Sequence, residues 1–515
     1  METVTNGQCA VKMVDIHKSF GTIHANKGVT LEIRRGEILS LLGENGSGKT
    51  TLMNMLSGIY FPDSGSIYVN GKPVRIRSPK DAHELKIGMI HQHFKLVDVF
   101  TAAENVKLGM KAPLRSAKQA IRDICKRYHF SVDPDKKVYE MSVSEKQTLE
   151  IVKALYRGAD ILILDEPTAV LTPQETEALF AVIRHMKADG KSVVIITHKL
   201  NEVLAVSDRV AILRKGEYIG DIETAEADVQ TLSDLMVGRS VSLNIDRPLV
   251  EEKHERLRID HLSVRDNLGV LRLDDVSFTA YSGEILGIAG IAGSGQKELL
   301  EAVAGLIPTA PNSSMIYIDP RTGKEENLKK YDAEQIRELG ISLAFVPEDR
   351  LGMGLVGNMN IPDNMLLRSY RKGRFGFVDQ KAPLDLAKHV VSELGVVTPS
   401  LNTPVRKLSG GNVQKVLVGR ELASSPSLLM AAYAVRGLDI NTSHAIYRLL
   451  NERKQNGGAV IYVGEDLDVL LELCDRILVL CGGRISGIVD GRTAKKEQVG
   501  LMMTGAAPEG GKNVH

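Results

Sequence analysis

The chain has 515 residues, too many for a single hydrophobic core, and this length predicts more than one domain. Its 65 basic and 64 acidic side chains give a formal net charge of +1, so no overall positive field indicates nucleic-acid binding. Aromatic residues make up 4% of the chain and tryptophan is absent, which is too little for a surface that stacks bases along a strand.

Three strand-like segments open the chain, and the last of them leads directly into a glycine-rich loop: Val11–Val14, Val29–Ile33 and Glu37–Leu42. A helical pattern follows over Lys49–Ser57. Buried β-branched runs return at Ile161–Leu164 and Val193–Thr197, each after a helical segment, which is typical of a parallel sheet in an α/β core. The stretch from about 100 to 150 is mostly helical in pattern and predicts a helical subdomain inserted into that core.

This arrangement occurs twice along the chain, with opposite losses in the two copies. Gly43–Thr50 is a complete G-x-x-x-x-G-K-[ST] phosphate loop, whereas its counterpart Gly290–Lys297 keeps the glycines but has Gln296 in place of the lysine. Further on the asymmetry reverses, because Leu408–Asn412 reads LSGGN and the matching segment Met141–Glu145 reads MSVSE.

The repeat also predicts the domain boundaries. Equivalent positions are 247 residues apart at the phosphate loops and 267 apart at the LSGGN segments, so the second copy carries 20 additional residues between them. The polar run Pro320–Asn327 is expected to be one surface insertion. We expect two domains, 8–240 and 257–505, joined by a short charged connector around 247–256.

The glycine-rich loop is a candidate phosphate site. A loop of this kind between a strand and a helix presents backbone N–H groups to phosphate oxygens, where the helix N-terminus adds positive potential. Lys49 is predicted to contact the β- and γ-phosphates, and the Thr50 hydroxyl to ligate Mg²⁺. The same segment supplies the other predicted nucleotide contacts, namely Gly43, Glu44, Asn45, Gly46, Ser47, Gly48 and Thr51. By itself the spacing also fits an ordinary glycine-rich turn.

Further candidate residues lie at the ends of the apolar strands and at the helical insertion. Asp165 and Glu166 end one strand, where the first can help hold Mg²⁺ through water and the second can polarise an attacking water. The upstream phosphate loop favours this role over that of a solvated acidic loop. His198, at the end of another strand, is predicted to contact the γ-phosphate, and Gln92 to sense Mg²⁺ and nucleotide. Phe20 fits adenine stacking and core packing equally.

The cysteines and the N-terminal sequence indicate the cellular compartment in which the protein is expected to function. The N-terminus lacks a basic segment followed by an apolar core, which argues against a signal peptide. No apolar run approaches the ~20 residues needed to span a bilayer. We therefore expect a soluble, intracellular protein. Four scattered cysteines without nearby histidines favour reduced thiols over disulfides or a zinc site: Cys9, Cys125, Cys474 and Cys481.

Together, the motifs GENGSGKTT, HQHF, ILILDEPT, IITH and LSGGN resemble those of the nucleotide-binding subunits of ATP-binding cassette transporters, over essentially the whole chain. Two cassettes in one chain, the second degenerate, are similar to the tandem ATPase subunit of bacterial sugar and nucleoside importers. Segments 90–94 and 154–160 resemble the nucleoside branch more than the ribose and galactose branch. The resemblance implies an α/β fold of two P-loop NTPase domains in tandem, each a RecA-like α/β core with an inserted helical subdomain, and it implies ATP and Mg²⁺ as cofactors.

The resemblance also implies that the two cassettes pair head to tail, so that each ATP site combines the phosphate loop of one copy with the LSGGN segment of the other. Site one then holds every part, and its contributions from the second copy are Ser409, Gly410, Gly411, Asn412 and Asp439. Site two lacks the lysine, both strand-end acids and the histidine, and its remaining positions are Gln296, Glu348, Ala432, Tyr433, Glu465 and Met141–Glu145. The asymmetry extends to the turn after the strand, where Gly437-Leu438-Asp439 corresponds to Val170-Leu171-Thr172. This sorting predicts one hydrolysing site, with Tyr433 filling space in the other.

The function implied by the resemblance is an ATPase motor that drives uptake of a small polar solute. Its expected partners are two integral-membrane permease subunits and, indirectly, an extracytoplasmic solute-binding protein, with no nucleic acid. It would act at the cytoplasmic face of the cell membrane. A soluble tandem cassette ATPase acting on ribosomes or DNA is disfavoured by the short connector and neutral charge, and a non-hydrolysing scaffold by the intact Glu166 and His198.

The segment after Gln92 is the predicted coupling contact. Its apolar residues, including Phe94 and Phe100, would form the groove that receives a short permease helix in the resembling transporters. Core packing is an equal alternative for Phe100. The matching stretch 349–355 is more polar and glycine-rich, so the two permease contacts should differ.

Overall fold

The computed structural model describes residues 9–21, 23–92, 94–169, 171–238, 244–266, 268–291, 293–346, 354–370, 378–422, 426–436, 438–464 and 466–505. The chain divides into two compact units, Met1–Ser242 and Leu243–His515. Residues of the predicted connector pack onto the second unit, since Arg247 donates hydrogen bonds to the carbonyl oxygens of Leu471 and Cys474 at 2.9 and 2.6 Å.

The first unit contains two sheets and the helices that cover them. Its strands are β1 (Cys9–Phe20), β2 (Ile23–Arg34), β3 (Ile38–Leu42), β4 (Ser64–Val69), β5 (Lys72–Val74), β6 (Ile87–Ile90), β7 (Ile161–Asp165), β8 (Ser192–Thr197), β9 (Arg209–Arg214) and β10 (Glu217–Glu223). Its helices are α1 (Lys49–Leu56), α2 (Pro79–Glu84), α3 (Ala102–Lys107), α4 (Leu114–Tyr128), α5 (Val143–Tyr156), α6 (Pro173–Ala188), α7 (Leu200–Val206) and α8 (Val229–Val237).

The larger sheet has the order β10-β9-β3-β8-β7-β6 and is parallel except for β10. Its central strands are buried along their whole length, as the apolar runs predict. The segments Val11–Val14 and Val29–Ile33 belong instead to a separate antiparallel sheet of order β2-β1-β4-β5. This second sheet was not predicted, because the alternation of apolar and polar residues in a strand does not identify the strand with which it pairs.

The predicted helical insertion is confirmed. Helices α3, α4 and α5 enclose a small core of their own, whose buried members include Val106, Ile121 and Leu149. The apolar residues spaced at the helical period of 3.6 therefore pack into a local core and not against the central sheet.

The second unit repeats the first element for element. Its strands are β11 (Glu255–Arg265), β12 (Leu271–Tyr281), β13 (Ile285–Gly290), β14 (Ser314–Ile318), β15 (Glu325–Asn327), β16 (Ile341–Phe345), β17 (Leu428–Ala432), β18 (Ala459–Val463), β19 (Arg476–Cys481) and β20 (Arg484–Asp490). Its helices are α9 (Gln296–Val303), α10 (Ala333–Glu338), α11 (Ile361–Leu366), α12 (Lys381–Glu393), α13 (Gly410–Leu422), α14 (Ile440–Gln455), α15 (Leu467–Leu473) and α16 (Lys496–Met503).

Its sheets have the orders β16-β17-β18-β13-β19-β20 and β12-β11-β14-β15. The insertion at Pro320–Asn327 is confirmed as an exposed turn that leads into β15. All four cysteines are free, and Cys125 and Cys474 are buried. Within the described ranges, no helix is both long enough and apolar enough to cross a bilayer.

Candidate active site

The site of the first unit forms at one edge of its parallel sheet. The phosphate loop follows β3, His198 follows β8, Glu166 follows β7 and Gln92 lies just after β6. These strands are neighbours and run parallel, so their carboxyl ends share an edge, where ligands bind in open α/β sheets. The fold thereby collects residues that are far apart in sequence.

The phosphate loop is packed so closely that only glycine fits at its key positions. Gly48 has φ 97°, and a Cβ there would lie 2.2 Å from the carbonyl oxygen of Ala25. A Cβ on Gly43 would lie 2.2 Å from the carbonyl oxygen of Leu213 and 2.5 Å from Oγ of Ser47. That Oγ is buried and has no hydrogen-bond partner in the described part of the chain. An unpartnered hydroxyl beside a helix N-terminus suits an incoming phosphate oxygen.

Lys49 is folded into this loop. The residue is only 5% exposed, and its Nζ donates hydrogen bonds to the carbonyl oxygens of Gly43 at 2.6 Å and Glu44 at 3.0 Å. Burial lowers the pKa of the ammonium, while the nearby carboxylates of Glu166 and Asp165 oppose that shift. The loop carbonyl oxygens therefore hold the Lys49 ammonium in a position where phosphate oxygens can replace them as its hydrogen-bond acceptors.

Asp165 and Thr50 lie within hydrogen-bonding distance of each other. Thr50 Oγ1 donates a hydrogen bond to Asp165 Oδ1 at 3.3 Å. Burial, and next the charge of Glu166, raise the pKa of the Asp165 carboxyl to about 6. A hydroxyl and a carboxylate are hard oxygen donors, and Mg²⁺ binds through one or two carboxylates plus substrate phosphates, so this pair fits that ion. The exposed Gln92 makes no hydrogen bond to either residue in the described structure.

Glu166 occupies an unusual backbone conformation. Its φ is 50°, in the left-handed region, and its N–H donates to the carbonyl oxygen of Ile196 at 2.9 Å. Such a conformation costs about 1–3 kcal/mol in a residue other than glycine and is common at functional sites. Oε1 lies 2.9 Å from Nδ1 of His198, whose side chain is 48% exposed against 13% for Glu166. The histidine thus orients the Glu166 carboxylate at the edge of the sheet where the phosphate loop lies.

Phe20 is an exposed ring, so the core alternative is wrong. Its ring packs edge to face with Tyr60, with centroids 5.2 Å apart, and Lys18 Nζ lies 5.5 Å from its centre. Asp63 secures this arrangement by accepting from Lys18 Nζ at 2.8 Å and from the Ser19 N–H at 2.7 Å. The ring is therefore held in place at the surface. Tyr60 and Asp63 belong to no recognisable motif, so the sequence alone did not indicate them.

Other predicted contacts lie along the loop and the start of α1. Asn45, Gly46 and Thr50 are exposed, and Thr51 is half-buried. Gln147 on α5 was missed by sequence analysis, and its Nε2 donates to the carbonyl oxygen of Pro167 at 2.6 Å. This hydrogen bond links the helical subdomain to the loop that follows the strand-end acids.

The second unit keeps the backbone of this site and has lost its ionic groups. Gln296 Nε2 donates to the carbonyl oxygen of Ile291 at 3.1 Å, the same loop position that Lys49 contacts through Glu44. The next residue, Lys297, stands where Thr50 supplies a hydroxyl. The neutral amide offers no charge to a phosphate, so we expect the second loop to bind anions more weakly than the first.

Tyr433 takes the place of Glu166 and preserves its backbone. Its φ is 56°, and its N–H donates to the carbonyl oxygen of Val463 at 2.9 Å. The ring packs edge to face on Phe345, with centroids 6.3 Å apart, and contacts the core beside the buried Ala432. The second unit therefore keeps the left-handed backbone conformation but lacks the carboxylate that this conformation positions in the first unit.

The LSGGN counterpart of the first unit is closed by its own side chains. Ser142 Oγ accepts from the Glu145 N–H at 3.2 Å, and Glu145 Oε2 accepts from the Ser142 N–H at 2.7 Å. Partial burial raises the pKa of the Glu145 carboxyl, but hydrogen bonds from Lys136 and Ser142 outweigh it and lower the pKa overall. A carboxylate already occupies the helix N-terminus where an anion would bind. Ser-x-x-Glu is a readable capping box, which sequence analysis overlooked.

The LSGGN segment of the second unit is open in comparison. Asn412 replaces the glutamate, and its Nδ2 donates to Ser409 Oγ at 2.9 Å while its Oδ1 accepts from the Val397 N–H at 2.9 Å. Ser409 and Gly410 are exposed. A Cβ on Gly411 would meet no described atom within 4 Å, although a helical glycine costs about 0.5–1 kcal/mol relative to alanine. Packing within the unit does not require this glycine, which suits close approach by a ligand.

Asp439 has a local role that the sequence did not reveal. It caps α14, because Oδ1 accepts from the Thr442 N–H at 2.9 Å and Oδ2 from Thr442 Oγ1 at 2.7 Å. In the first unit Thr172 caps α6 in the same way.

Several predicted positions lie outside the described residues, namely Glu348, Glu465, Gly437 and Val170.

Comparison with known proteins agrees with this geometry. The profile of the family described as ABC transporter matches residues 26–169 and 273–431. The chain is 40% identical to the nucleoside import ATP-binding protein NupA of Lactococcus lactis subsp. cremoris, covering 97% of this chain and 98% of that one. It is 41% identical to the guanosine import ATP-binding protein NupO of Bacillus subtilis, with coverage of 98% and 99%. It is 37% identical to the ribose import ATP-binding protein RbsA 1 of Streptomyces avermitilis, with coverage of 96% and 94%.

Proposed function

The chain belongs to the ABC transporter family, and on that premise we propose that it is the ATPase subunit of an importer for nucleosides or related ribosyl compounds. The observation that carries the proposal is the carboxylate of Glu166, held by His198 at the edge where the Lys49 loop opens. The names of the relatives support nucleosides first and ribose second, and they lend no support to action on ribosomes or DNA. The test is to reconstitute the chain with its permeases and to measure ATP-dependent nucleoside uptake against ribose uptake.

Each group in the first unit has a defined part in hydrolysis. The loop N–H groups and Ser47 Oγ receive phosphate oxygens, and Lys49 exchanges its carbonyl partners for the β- and γ-phosphates. Thr50 and Asp165 would hold Mg²⁺, which neutralises phosphate charge when it is bound. Glu166 accepts a proton from the attacking water, and the hydrogen bond from His198 keeps the carboxylate oriented toward it. A preset geometry of this kind avoids reorganisation during the reaction.

We further propose that hydrolysis requires the LSGGN segment of the second cassette. Its exposed helix N-terminus, with Ser409 and the open Gly411, suits a γ-phosphate. The counterpart in the first unit carries the Glu145 carboxylate at that position and would repel the same group. One complete site and one that does not hydrolyse ATP would follow from this difference together with Gln296 and Tyr433.

The adenine contact of Phe20 can be tested through its neighbour. Tyr60→Ala removes the edge contact that holds the ring, and should raise the KM for ATP about 2- to 10-fold with little change in kcat, since an aromatic pair contributes about 0.5–1.5 kcal/mol. Phe20→Ala should raise KM further, because base stacking contributes about 1–3 kcal/mol. Tyr60→Phe keeps the edge contact and serves as the control. A normal KM in Phe20→Ala would contradict the stacking role.

The proposed partners are two permease subunits and an extracytoplasmic solute-binding protein, with the chain at the cytoplasmic face of the membrane. The proposed coupling contact follows Gln92, where Phe94 is half-buried and Val99 is exposed, while Leu96 packs on the core of the helical subdomain. Most of the matching stretch after Glu348 lies outside the described residues.

Changing Phe94 to Asp should abolish transport in reconstituted vesicles while the ATP affinity of the isolated subunit stays near normal. The reason is that a charge would enter the apolar contact without touching the phosphate loop. Loss of nucleotide binding or of folding in the isolated subunit would instead assign Phe94 to the core and remove the docking role.

A further inference from the structure

The helical subdomain of the first unit carries a concentrated positive charge on a chain whose net charge is +1. Between Lys107 and Arg127 the sequence holds seven basic side chains and a single acidic one, Asp123. Most of them lie on α4, which buries the opposite face through Ala117, Ile121, Cys125 and Tyr128. The charge is therefore sorted to the outside of one helix.

Three of these cations form an unpaired stripe. Arg115, Arg122 and Lys126 are separated by seven and four positions, close to whole helical turns, so they share one face of α4. All three are exposed, and no carboxylate of the described residues pairs with them. Lys118 and Arg127, on the flanks of the stripe, do have carboxylate partners. The positive potential of the stripe is thus not neutralised by its surroundings.

Exposed apolar side chains lie in the turn that precedes α4. The turn before α4 exposes Leu108 by 45% and Met110 by 36%, and basic residues flank them at Lys107 and Lys111. The turn is anchored by a hydrogen bond of 2.9 Å from Arg157 Nη2 to the carbonyl oxygen of Leu108. Basic side chains beside exposed aliphatic ones are the composition of surfaces that bind at a lipid interface.

The fold itself does not demand this face. Its counterpart in the second unit is α12, which precedes the LSGGN helix as α4 precedes α5. Within α12 the two lysines are balanced by one aspartate and one glutamate, and Lys388 lies 3.4 Å from Asp385. The positive charge of α4 is therefore not repeated on α12 itself.

We propose that this face, here called the basic face and comprising Lys107, Leu108, Met110, Lys111, Arg115, Arg122 and Lys126, binds the anionic headgroups of a phospholipid bilayer. Lipid is favoured over nucleic acid because the chain belongs to a family that works on membrane partners, and because the chain as a whole, with 65 basic and 64 acidic side chains, has no overall positive field. The basic face goes beyond the proposed function, since it touches no part of the ATP site. Its contact with lipid would hold the first cassette at the membrane surface.

The experiment is co-sedimentation of the full chain with vesicles of phosphatidylcholine containing phosphatidylglycerol, and with vesicles of phosphatidylcholine alone. The chain should bind only the anionic vesicles, and more weakly as salt is added. The triple variant Arg115→Gln, Arg122→Gln and Lys126→Gln should bind on the order of 100-fold more weakly. The reason is that each Lys or Arg near an anionic surface contributes a similar share of the binding free energy, and the variant loses three of them.

The matched control is the double variant Lys381→Gln and Lys388→Gln on α12, which should bind as the unmodified chain does. Both variants should keep normal ATPase activity and melting temperature, which separates this proposal from the proposed function. Failure of the unmodified chain to bind anionic vesicles would overturn it. Undiminished binding by the triple variant would also overturn it, as would tighter binding to double-stranded RNA than to vesicles at equal salt.

Discussion

Glu166→Gln is expected to lower kcat for ATP hydrolysis by about 10²- to 10⁴-fold, the range that a positioned general base contributes. The amide keeps the size of the side chain but cannot take the proton of the attacking water. The phosphate loop and Lys49 are untouched, so the affinity for ATP should remain, and ATP should accumulate in the bound form. Steady-state ATPase rates and equilibrium binding of labelled ATP measure the two quantities.

The second unit provides the controls for this result. Lys49→Ala removes the buried cation and should abolish both binding and turnover, whereas Gln296→Ala removes only a neutral amide and should cost little turnover. Tyr433→Ala should likewise leave kcat near normal. Equal loss of activity in Gln296→Ala and Lys49→Ala would show that both sites hydrolyse ATP, and the one-site proposal would be abandoned.

Ser409→Arg should reduce hydrolysis to background even though the residue lies far in sequence from the phosphate loop. The long side chain would fill the open N-terminus of α13, beside Gly411, where we propose that the γ-phosphate binds. The same change at Ser142 should be tolerated much better, because the Glu145 carboxylate already closes that helix. ATPase rates of the two variants, at matched melting temperature, make the comparison.

Two outcomes would contradict this second prediction. Equal inhibition at both serines would mean that the second site also turns over. Full activity of Ser409→Arg would mean that the LSGGN segment does not reach the ATP bound at Lys49.

The sequence was sufficient for the family, the fold class and most of the candidate residues of the first unit. The reason is that phosphate binding imposes residue types at fixed short spacings, such as the loop that ends at Lys49, and that buried parallel strands read as apolar runs. The same regularities exposed the internal repeat and the loss of Lys49 and Glu166 in the second copy. These predictions needed only local information.

Tertiary structure decided the features that depend on contacts between distant segments. In the antiparallel sheet, β1 is joined to β2 and β4 to β5 by short connections, but the pairing of β1 with β4 brings together segments separated by β2, β3 and α1, and this pairing could not be inferred. The exposed ring of Phe20, held by Tyr60 and Asp63, was equally hidden. The left-handed φ of Glu166, kept at Tyr433, is a backbone property that no side-chain pattern encodes. Sequence thus specified which groups are present, and packing specified which of them meet, because the energy of each contact depends on neighbours brought together by the fold.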